Sequence, residues 1–197
     1  VRLIFLIFLS FSLNILYSQT NINSNFTVVI DPGHGGKDPG AVSNGYYEKI
    51  IALSTSLKLG RILEENNIDV VYTRKNDVFV NLIERANIAN RSGGQLFLSI
   101  HCNAHSSQAY GAETFVLGPH DNQRNFEVAK KENSVIFLED DYEKKYDGFD
   151  PSDPESVITL MLMQENYKDK SVLAAKYIHN GFVNKLKRKD RAIKEAG

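Results

Sequence analysis

The sequence predicts an α/β fold of three layers, in which a twisted, mainly parallel sheet is flanked by helices. Short runs of β-branched and other apolar residues, typical of buried strands, recur between residues 26 and 117. Segments with apolar residues at helical spacing lie between the first three of these runs. Strands and helices that alternate at such short intervals form right-handed βαβ units, and these units build a parallel sheet.

The composition excludes several classes of protein. The 197 residues suit a single domain, and 23 Lys and Arg against 24 Asp and Glu give a net charge of −1. We therefore expect no nucleic-acid partner, because no basic excess is present to bind phosphates. One cysteine can form neither an internal disulfide nor a thiolate zinc cluster. A metal site in this chain would have to use histidines and carboxylates.

The first 18 residues differ from the rest of the chain. Arg2 is their only charge, and an apolar run interrupted by three polar residues follows it. A membrane-spanning helix needs about 20 apolar residues, so this shorter run, ending at the small Ser18, predicts a cleaved secretory signal peptide. A retained membrane anchor and a buried N-terminal helix are the alternatives. Residues 19–25 are then a linker, and the protein is expected to be exported to the periplasm or the cell envelope.

The predicted elements follow in order from residue 26. The strands are Phe26–Ile30, Asp69–Thr73, Gln95–Ile100 and Ala112–Leu117. The helices between them are Glu48–Asn66 and Asn81–Arg91, and a glycine-rich loop precedes the first helix.

The second half of the chain loses this alternation. Its predicted helices are Asn122–Leu138, Ser156–Glu165 and Ser171–Lys187, with charged and loop-like segments between them. We interpret residues 119–170 as a helical insertion in a catalytic domain that covers residues 26–197.

Two histidines and a glutamate are predicted to meet at one edge of the sheet. His34 follows the first strand and His101 follows the third, while Glu48 starts the helix after the first loop. Ligands of open parallel sheets bind at the carboxyl ends of the strands. Two His and one Glu with no fourth protein ligand form the pattern of a catalytic zinc site, which keeps a position open for water. Zinc lowers the pKa of that water from about 15.7 to about 7, so the pattern indicates a hydrolase.

Other residues with reactive side chains lack a matching pattern. His105, His120 and His179 are interpreted as surface or packing residues, and Cys102 as a small buried residue on the face opposite His101. The Gly35-Gly36-Lys37 segment superficially resembles a phosphate-binding loop. The spacing that such a loop requires places Asp31 and Asp38 at the positions of a Gly and a Ser or Thr, so we expect no nucleotide ligand.

The motifs VVIDPGHGGKDPGA, RKNDVFVNLIERANIAN and LFLSIHCNAH, together with Glu48, resemble the zinc-dependent N-acetylmuramoyl-L-alanine amidases (amidase type 3). The resemblance runs from about Thr27 to Leu117, and more loosely through residues 187–197. It implies that His34, Glu48 and His101 are zinc ligands. It also implies hydrolysis of the amide between N-acetylmuramic acid and L-alanine in peptidoglycan, with Asn103 as a candidate substrate-binding residue. Arg74 and Arg85 lie in matching segments, with a structural or substrate-facing role.

One expected residue is not in the sequence. In this family a glutamate in a Val-Glu-hydrophobic-Gly-Phe segment near the C-terminus moves a proton to the leaving amine. The 197 residues contain no such segment, and Glu195 does not match it. The chain is therefore expected to be truncated, with its catalytic glutamate beyond Gly197, and to be inactive as it stands.

The insertion also has a counterpart in the resemblance. Some division-associated amidases carry a helix that covers the zinc and is displaced by an activator protein, which suggests a similar partner for residues 119–170. Candidate autoinhibitory zinc contacts are Glu139, Glu155 and Glu165, which the sequence does not rank. A flap that packs on the sheet or shapes the substrate groove is the alternative.

Two other functions remain open at this point. A non-catalytic peptidoglycan-binding module would retain the fold and the zinc without turnover. A zinc carboxypeptidase acting on the stem peptide would share the ligand types and the α/β architecture.

Overall fold

A computed structural model describes residues 26–103, 110–118, 123–139 and 154–196 of the chain. The predicted signal peptide and linker lie outside the described residues. In the described part of the chain, no helix has both the length and the apolar character needed to cross a membrane.

Seven strands and four helices are assigned in the described residues. The strands are β1 (Thr27–Pro32), β2 (Val42–Ser43), β3 (Tyr46–Tyr47), β4 (Asp69–Tyr72), β5 (Leu96–Ile100), β6 (Ala112–Leu117) and β7 (Asp190–Ala196). The helices are α1 (Glu48–Glu65), α2 (Leu82–Ser92), α3 (Gln123–Asn133) and α4 (Pro154–Asn180). A 3-10 turn (Ser134–Leu138) follows α3, and a π-helical turn (Gly181–Lys185) follows α4.

The parallel sheet predicted for the first half of the chain is confirmed. Its order is β4-β1-β5, and both neighbours run parallel to β1. The central strand forms the core, since Val28, Val29 and Ile30 are at most 3% exposed. The register pairs Pro32 with Ile100, so β1 and β5 end at the same edge of the sheet. The residues that follow these two strands are thereby brought together.

Helix α2 begins and ends at the residues that its sequence indicates. The Asn81 side chain accepts a hydrogen bond from the Glu84 backbone N–H and caps the first turn. Gly93 ends the helix in the left-handed conformation, at φ 65°. The predicted helix Asn81–Arg91 is therefore correct to within one residue at each end.

Strands β6 and β7 form a separate parallel pair, which is not hydrogen-bonded to β5. The facing edges of β5 and β6 instead border a cavity, lined on one side by Phe97 and Ser99 and on the other by Leu117. Phe97 is 48% exposed and Leu117 is 56% exposed. The predicted single sheet is thus divided into two parts in the described residues.

Two elements of the second half differ from the predictions. The predicted helices Ser156–Glu165 and Ser171–Lys187 are one continuous helix, α4, which crosses the predicted end of the insertion at residue 170. The polar stretch between them contains no Gly or Pro, and Tyr167, Asp169 and Lys170 form a solvent-exposed face instead of a break. Strand β7 was missed, because its mixed charged sequence lacks apolar alternation.

Candidate metal centre

The loop after β1 holds His34 in a constrained backbone conformation. His34 has φ 60°, which is uncommon for a residue other than glycine. Beside it, a Cβ on Gly33 would lie 2.4 Å from the His101 ring, and a Cβ on Gly40 would lie 2.5 Å from the His34 ring. Glycine is therefore required at both positions for the two imidazoles to approach. The Asp38 carboxylate lies 2.8 Å from Nδ1 of His34, which directs Nε2 away from the loop.

Glu48 is the first residue of α1 and is 2% exposed. Its Oε2 accepts a hydrogen bond from the Ala41 N–H at 2.9 Å, and its Oε1 accepts one from the Cys102 N–H at 2.7 Å. These two donors fix the carboxylate between the first loop and the segment after β5. The prediction that Cys102 is buried by strand alternation is wrong, because β5 ends at Ile100 and the Cys102 side chain is only partly buried.

The three predicted ligands converge on one point. His34 Nε2, His101 Nδ1 and Glu48 Oε1 form a triangle whose three sides are each 3.1 Å. Ligands of a tetrahedral zinc ion at about 2.0–2.1 Å lie about 3.3 Å from one another. The three donor atoms are therefore spaced like three corners of a zinc coordination shell.

A fourth carboxylate, from Glu132 on α3, lies against the same three atoms. Its Oε2 is 3.1 Å from His34 Nε2 and 2.9 Å from His101 Nδ1. The four donor atoms all lie within 4.8 Å of one another. Glu132 thus contacts both imidazole nitrogens of the cluster.

The four charges alter each other's protonation. Burial opposes the charged form of His34, but hydrogen bonds to carboxylates outweigh it and raise the pKa of His34 to about 11. The same balance raises the pKa of His101 to about 9. Burial favours the neutral carboxyls, but hydrogen bonds from the imidazoles hold the pKa of Glu48 well below its usual range and lower that of Glu132 to about 2. In the metal-free protein the imidazoles and carboxylates therefore stabilise one another as ion pairs.

Comparisons with known proteins identify the family of the chain. A family model described as N-acetylmuramoyl-L-alanine amidase matches residues 28–197. The chain belongs to this family.

Individual relatives match parts of the chain. The sporulation-specific N-acetylmuramoyl-L-alanine amidase of Bacillus subtilis is 43% identical over 91 residues, which are 45% of this chain and 35% of the relative. AmiA of Escherichia coli, also an N-acetylmuramoyl-L-alanine amidase, is 42% identical over 92 residues, 46% of this chain and 32% of the relative. The chain thus spans about a third of the length of these two relatives.

Solved structures of amidases share the fold over most of the chain. An N-acetylmuramoyl-L-alanine amidase from Clostridium difficile 630 superposes with a TM-score of 0.58 at 26% identity, over 89% of this chain and 72% of the other. The catalytic domain of CwlV from Bacillus (Paenibacillus) polymyxa gives a TM-score of 0.53 at 26% identity, over 87% and 70% of the two chains.

In this member of the amidase family, two buried arginines hold the loop that carries His34. Arg85 donates to the carbonyls of Pro32 and His34 at 2.8 and 2.7 Å, and to the Asp31 carboxylate at 2.6 Å. Arg74 donates to the carbonyls of Pro32 and Gly33 at 3.0 and 2.7 Å. Both guanidinium groups are occupied by these bonds, so the two arginines have structural roles in this chain.

Asp31 connects this support to the sheet. Its carboxylate accepts hydrogen bonds from Thr73 Oγ1 at 2.6 Å and from Ser99 Oγ at 2.7 Å, in addition to the Arg85 bond. Burial raises the pKa of Asp31, but Arg85 and the two hydroxyls lower it by more, so the residue is ionised. The carboxylate balances part of the positive charge that the two arginines bring into the interior.

A cavity of about 550 Å³ adjoins the cluster. His34, His101 and Glu132 lie at one end of it, and side chains of α2 and of the strands β5 and β6 line the remainder. Its apolar wall includes Leu82, Ala86 and Ala89. Glu132 therefore lies beside the two imidazoles where the cavity meets the cluster.

Of the remaining predicted site residues, Asn103 and Glu139 are not part of the cluster. Asn103 is exposed just beyond the edge of the sheet. Glu139 lies at the start of α2, where its Oε1 accepts a hydrogen bond from the Leu82 N–H at 3.2 Å. The 3-10 turn after α3 carries Glu139 away from the imidazoles, which explains why Glu132 and not Glu139 reaches them. The side chains of Glu155 and Glu165, on α4, lie outside the described part of the structure.

Of the other histidines, only His179 lies within the described residues, and it is separate from the cluster. His179 Nε2 lies 2.9 Å from the Asp190 carboxylate, which agrees with its interpretation as a packing residue. His105 and His120 lie outside the described residues.

Two residues of the cluster, Glu132 and Asp38, are not predicted as site residues by the sequence. Glu132 lies within the predicted insertion, but its segment offers several acids and no local pattern separates them. Asp38, four residues after His34 in the same loop, could have been proposed as its partner, because carboxylates commonly orient metal-binding histidines.

Proposed function

We propose that this chain carries the metal centre of a zinc-dependent hydrolase that cleaves the amide between N-acetylmuramic acid and L-alanine in peptidoglycan. The observation that carries the proposal is the triangle of donor atoms from His34, Glu48 and His101 in a member of the amidase family. Two imidazoles and one carboxylate are ligand types that suit zinc. Peptidoglycan is then the substrate and partner, and the N-terminal segment supports export to the periplasm or the cell envelope.

The chain's own residues prepare the site for this chemistry. His34, Glu48 and His101 would hold the metal ion, and zinc in such a site acts as a Lewis acid that makes hydroxide available at neutral pH. Asp38 fixes the orientation of the His34 ring, and the N–H groups of Ala41 and Cys102 fix the Glu48 carboxylate. Such partners of metal ligands maintain both their direction and their basicity.

Glu132 supports a proposal for the regulation of this site. Its carboxylate contacts the His34 and His101 nitrogens that would hold the metal ion. We therefore propose that α3 holds the enzyme in a resting state and that a partner protein relieves it by displacing α3. The segment 119–170, which contains α3, is the candidate binding region for such an activator.

The activity is tested by incubating the purified full-length protein, including any residues beyond Gly197, with muropeptides and zinc and separating the products. Release of free disaccharide together with an intact stem peptide is the expected result. Release of a terminal amino acid alone would show a carboxypeptidase and overturn the proposal. Retained muropeptide binding without turnover, in the presence of zinc and with Glu132 replaced by Ala, would show a binding module instead.

The ligand assignment is tested separately by zinc stoichiometry. The wild-type chain is expected to bind one zinc ion, and His34→Ala is expected to abolish high-affinity binding. His179→Ala is a matched control, because His179 is also a histidine paired with a carboxylate but lies away from the cluster. Unchanged zinc binding by His34→Ala would refute the assignment without reference to activity.

A further inference from the structure

An exposed cluster of basic and apolar side chains lies between α4 and β7. The basic loop, defined as residues 185–189, reads Lys-Leu-Lys-Arg-Lys, and all five of its residues are exposed. It places four positive charges in a chain whose net charge is only −1. This concentration of one sign of charge requires a physical explanation of its own.

The cations of the basic loop are available to a partner. Acidic residues nearby are already paired: Asp190 lies 2.9 Å from His179, and Glu113 accepts from Arg191 and Lys194. Among the described residues, none of the four cations of the loop forms an ion pair with a carboxylate. Their charge is therefore not compensated within the described part of the chain.

The loop is held in a defined conformation. The Leu186 N–H donates to the Gly181 carbonyl at 3.0 Å, and the Arg188 N–H donates to the Phe182 carbonyl at 2.9 Å. Lys187 has φ 52°, which lets the chain turn back on the end of the π-helical segment. The four cations are thus presented from a turn whose shape is fixed by backbone bonds.

Apolar side chains are exposed beside these cations. Leu186, inside the loop, is 61% exposed. Phe182 is 37% exposed, and its carbonyl accepts the hydrogen bond from the Arg188 N–H. Tyr110 is 70% exposed, and the Lys189 ammonium lies 5.3 Å from the centre of its ring. Basic residues mixed with Leu, Phe and Tyr are typical of surfaces that lie in the interface of a membrane.

We propose that the basic loop, with Leu186, Phe182 and Tyr110, is a docking surface for a bilayer that contains anionic phospholipids. The cations complement the negative headgroups, and the apolar side chains enter the interface between them. A soluble polyanion would satisfy the cations but would leave the apolar side chains in water, so the membrane is the partner that uses both. This surface is independent of the metal centre, and the inference goes beyond the proposed function.

The proposal is tested by co-sedimentation of the full chain with two kinds of vesicle, phosphatidylcholine alone and phosphatidylcholine mixed with phosphatidylglycerol. The readout is the ratio of the two partition coefficients, because this ratio removes any contribution that does not depend on lipid charge. Preferential binding to the anionic vesicles is expected, and it should weaken as salt is added. Equal binding to both vesicles would overturn the proposal.

Matched variants test whether the basic loop causes the preference for anionic vesicles. A basic residue near an anionic surface contributes about fivefold to partitioning, so Arg188→Gln/Lys189→Gln should lower the ratio by about 30-fold. Lys58→Gln/Arg61→Gln removes one Lys and one Arg from the exposed side of α1 and should leave the ratio unchanged. Equal losses in the two double variants would show a general effect of net charge and would overturn the proposal. Circular dichroism checks that each variant is folded.

A last variant separates a membrane from a soluble polyanion. Leu186→Ser keeps every charge and should lower binding to anionic vesicles by roughly three- to tenfold, because it removes an apolar side chain from the interface. Its binding to inorganic polyphosphate should equal that of the wild type. If Leu186→Ser binds the vesicles as well as the wild type, the surface binds polyanions and the membrane proposal is wrong.

Discussion

Arg85 donates a hydrogen bond from Nη2 to the main-chain carbonyl of His34 at 2.7 Å, between residues 51 positions apart in the sequence. The bond holds a backbone conformation, φ 60°, that a histidine rarely adopts. The same guanidinium is paired with the buried carboxylate of Asp31. Helix α2 therefore determines where His34, the first of the proposed metal ligands, lies, although it contributes no proposed ligand itself.

The first prediction follows from these bonds. Arg85→Lys keeps the charge, but its single ammonium nitrogen cannot span the separated acceptors that the planar guanidinium reaches, so zinc affinity should fall by roughly 10- to 100-fold, the effect typical of losing a partner that orients a ligand. Arg85→Ala should also lower the free energy of unfolding by about 3–5 kcal/mol, because it leaves the Asp31 charge buried without its partner. Zinc titration and chemical denaturation measure the two effects.

The control for this prediction is Arg91→Lys on the same helix. Arg91 is exposed and its ion pair with Glu84 lies on the surface, where such pairs contribute about 0–1 kcal/mol. Both measurements should remain close to wild type. Wild-type zinc affinity in folded Arg85→Lys would show that the arginine supports the fold but does not position His34.

The second prediction concerns Glu132. If a carboxylate held at the metal centre contributes about 1.5–3 kcal/mol to the resting state, its removal in Glu132→Ala should raise the basal amidase activity of the full-length protein by roughly 10- to 100-fold. Glu127→Ala, on the exposed side of α3, is the matched control and should not change the rate. A lower rate in Glu132→Ala would mean that Glu132 takes part in the reaction and does not block it.

The contrast between Glu132 and the rest of the cluster shows how much the sequence could predict. His34, Glu48 and His101 were predictable, because each lies next to the end of a strand or at the start of a helix, and a parallel sheet brings such ends together. Glu132 was not, because its position depends on how α3 packs over the sheet, and no periodicity of α3 specifies that. The separation of β5 from β6 has the same origin, since strand patterns predict strands but not which edges pair.

The boundary errors have a local cause. The sequence Asn-Tyr-Lys-Asp-Lys at residues 166–170 has the composition of a loop, and it was interpreted as a break between two helices. Polar residues without Gly or Pro can equally form the solvent face of one long helix, and packing on one side decides between these outcomes. Strand β7 was missed for the converse reason, because it pairs with β6 despite a sequence rich in charged residues.

A third prediction concerns the attachment of α3. Two residues that follow α3 accept hydrogen bonds. The Leu138 carbonyl accepts one from Lys37 Nζ, and Glu139 accepts one from the Leu82 N–H at the start of α2. A carboxylate at a helix N-terminus is favoured by the helix dipole, so Glu139 holds the end of the 3-10 turn against α2. Glu139→Ala should therefore raise basal activity by about fivefold while leaving the zinc affinity of the open site unchanged.

The combination of the two substitutions tests whether they act through one movement. If Glu139 and Glu132 hold the same resting state, Glu132→Ala/Glu139→Ala should be little more active than Glu132→Ala alone. Multiplicative effects on the rate would show that the two glutamates act independently, and this would contradict the role of Glu139 in holding α3.

The fourth prediction concerns the pH dependence of the metal-free protein. The pKa values of His34 and His101 are raised from 6.5 to about 11 and about 9, so their contribution to stability is fully present below pH 6.5 and is lost as the pH rises through 9 toward 11. The pKa of Glu132 is lowered from 4.5 to about 2, so its contribution is present above pH 4.5 and is lost as the pH falls toward 2. From the titration of these three residues, the docking of α3 should be most stable between pH 4.5 and 6.5. Hydrogen exchange of α3 after chelation measures this, and a maximum above pH 9 would contradict the assigned ion pairs.

The same pKa shifts predict how zinc binding depends on pH. Both histidines are protonated at neutral pH in the metal-free protein, and zinc binds only their neutral forms. Each zinc ion should therefore displace about two protons, and its apparent affinity should rise by about a hundredfold per pH unit between pH 6.5 and 9. Calorimetry in buffers of different ionisation enthalpy counts these protons directly.

In Glu132→Gln the imidazoles lose one of their carboxylates, so their pKa values should fall and fewer protons should be released at pH 8. An unchanged proton count in that variant would show that Glu132 does not contact the histidines in solution.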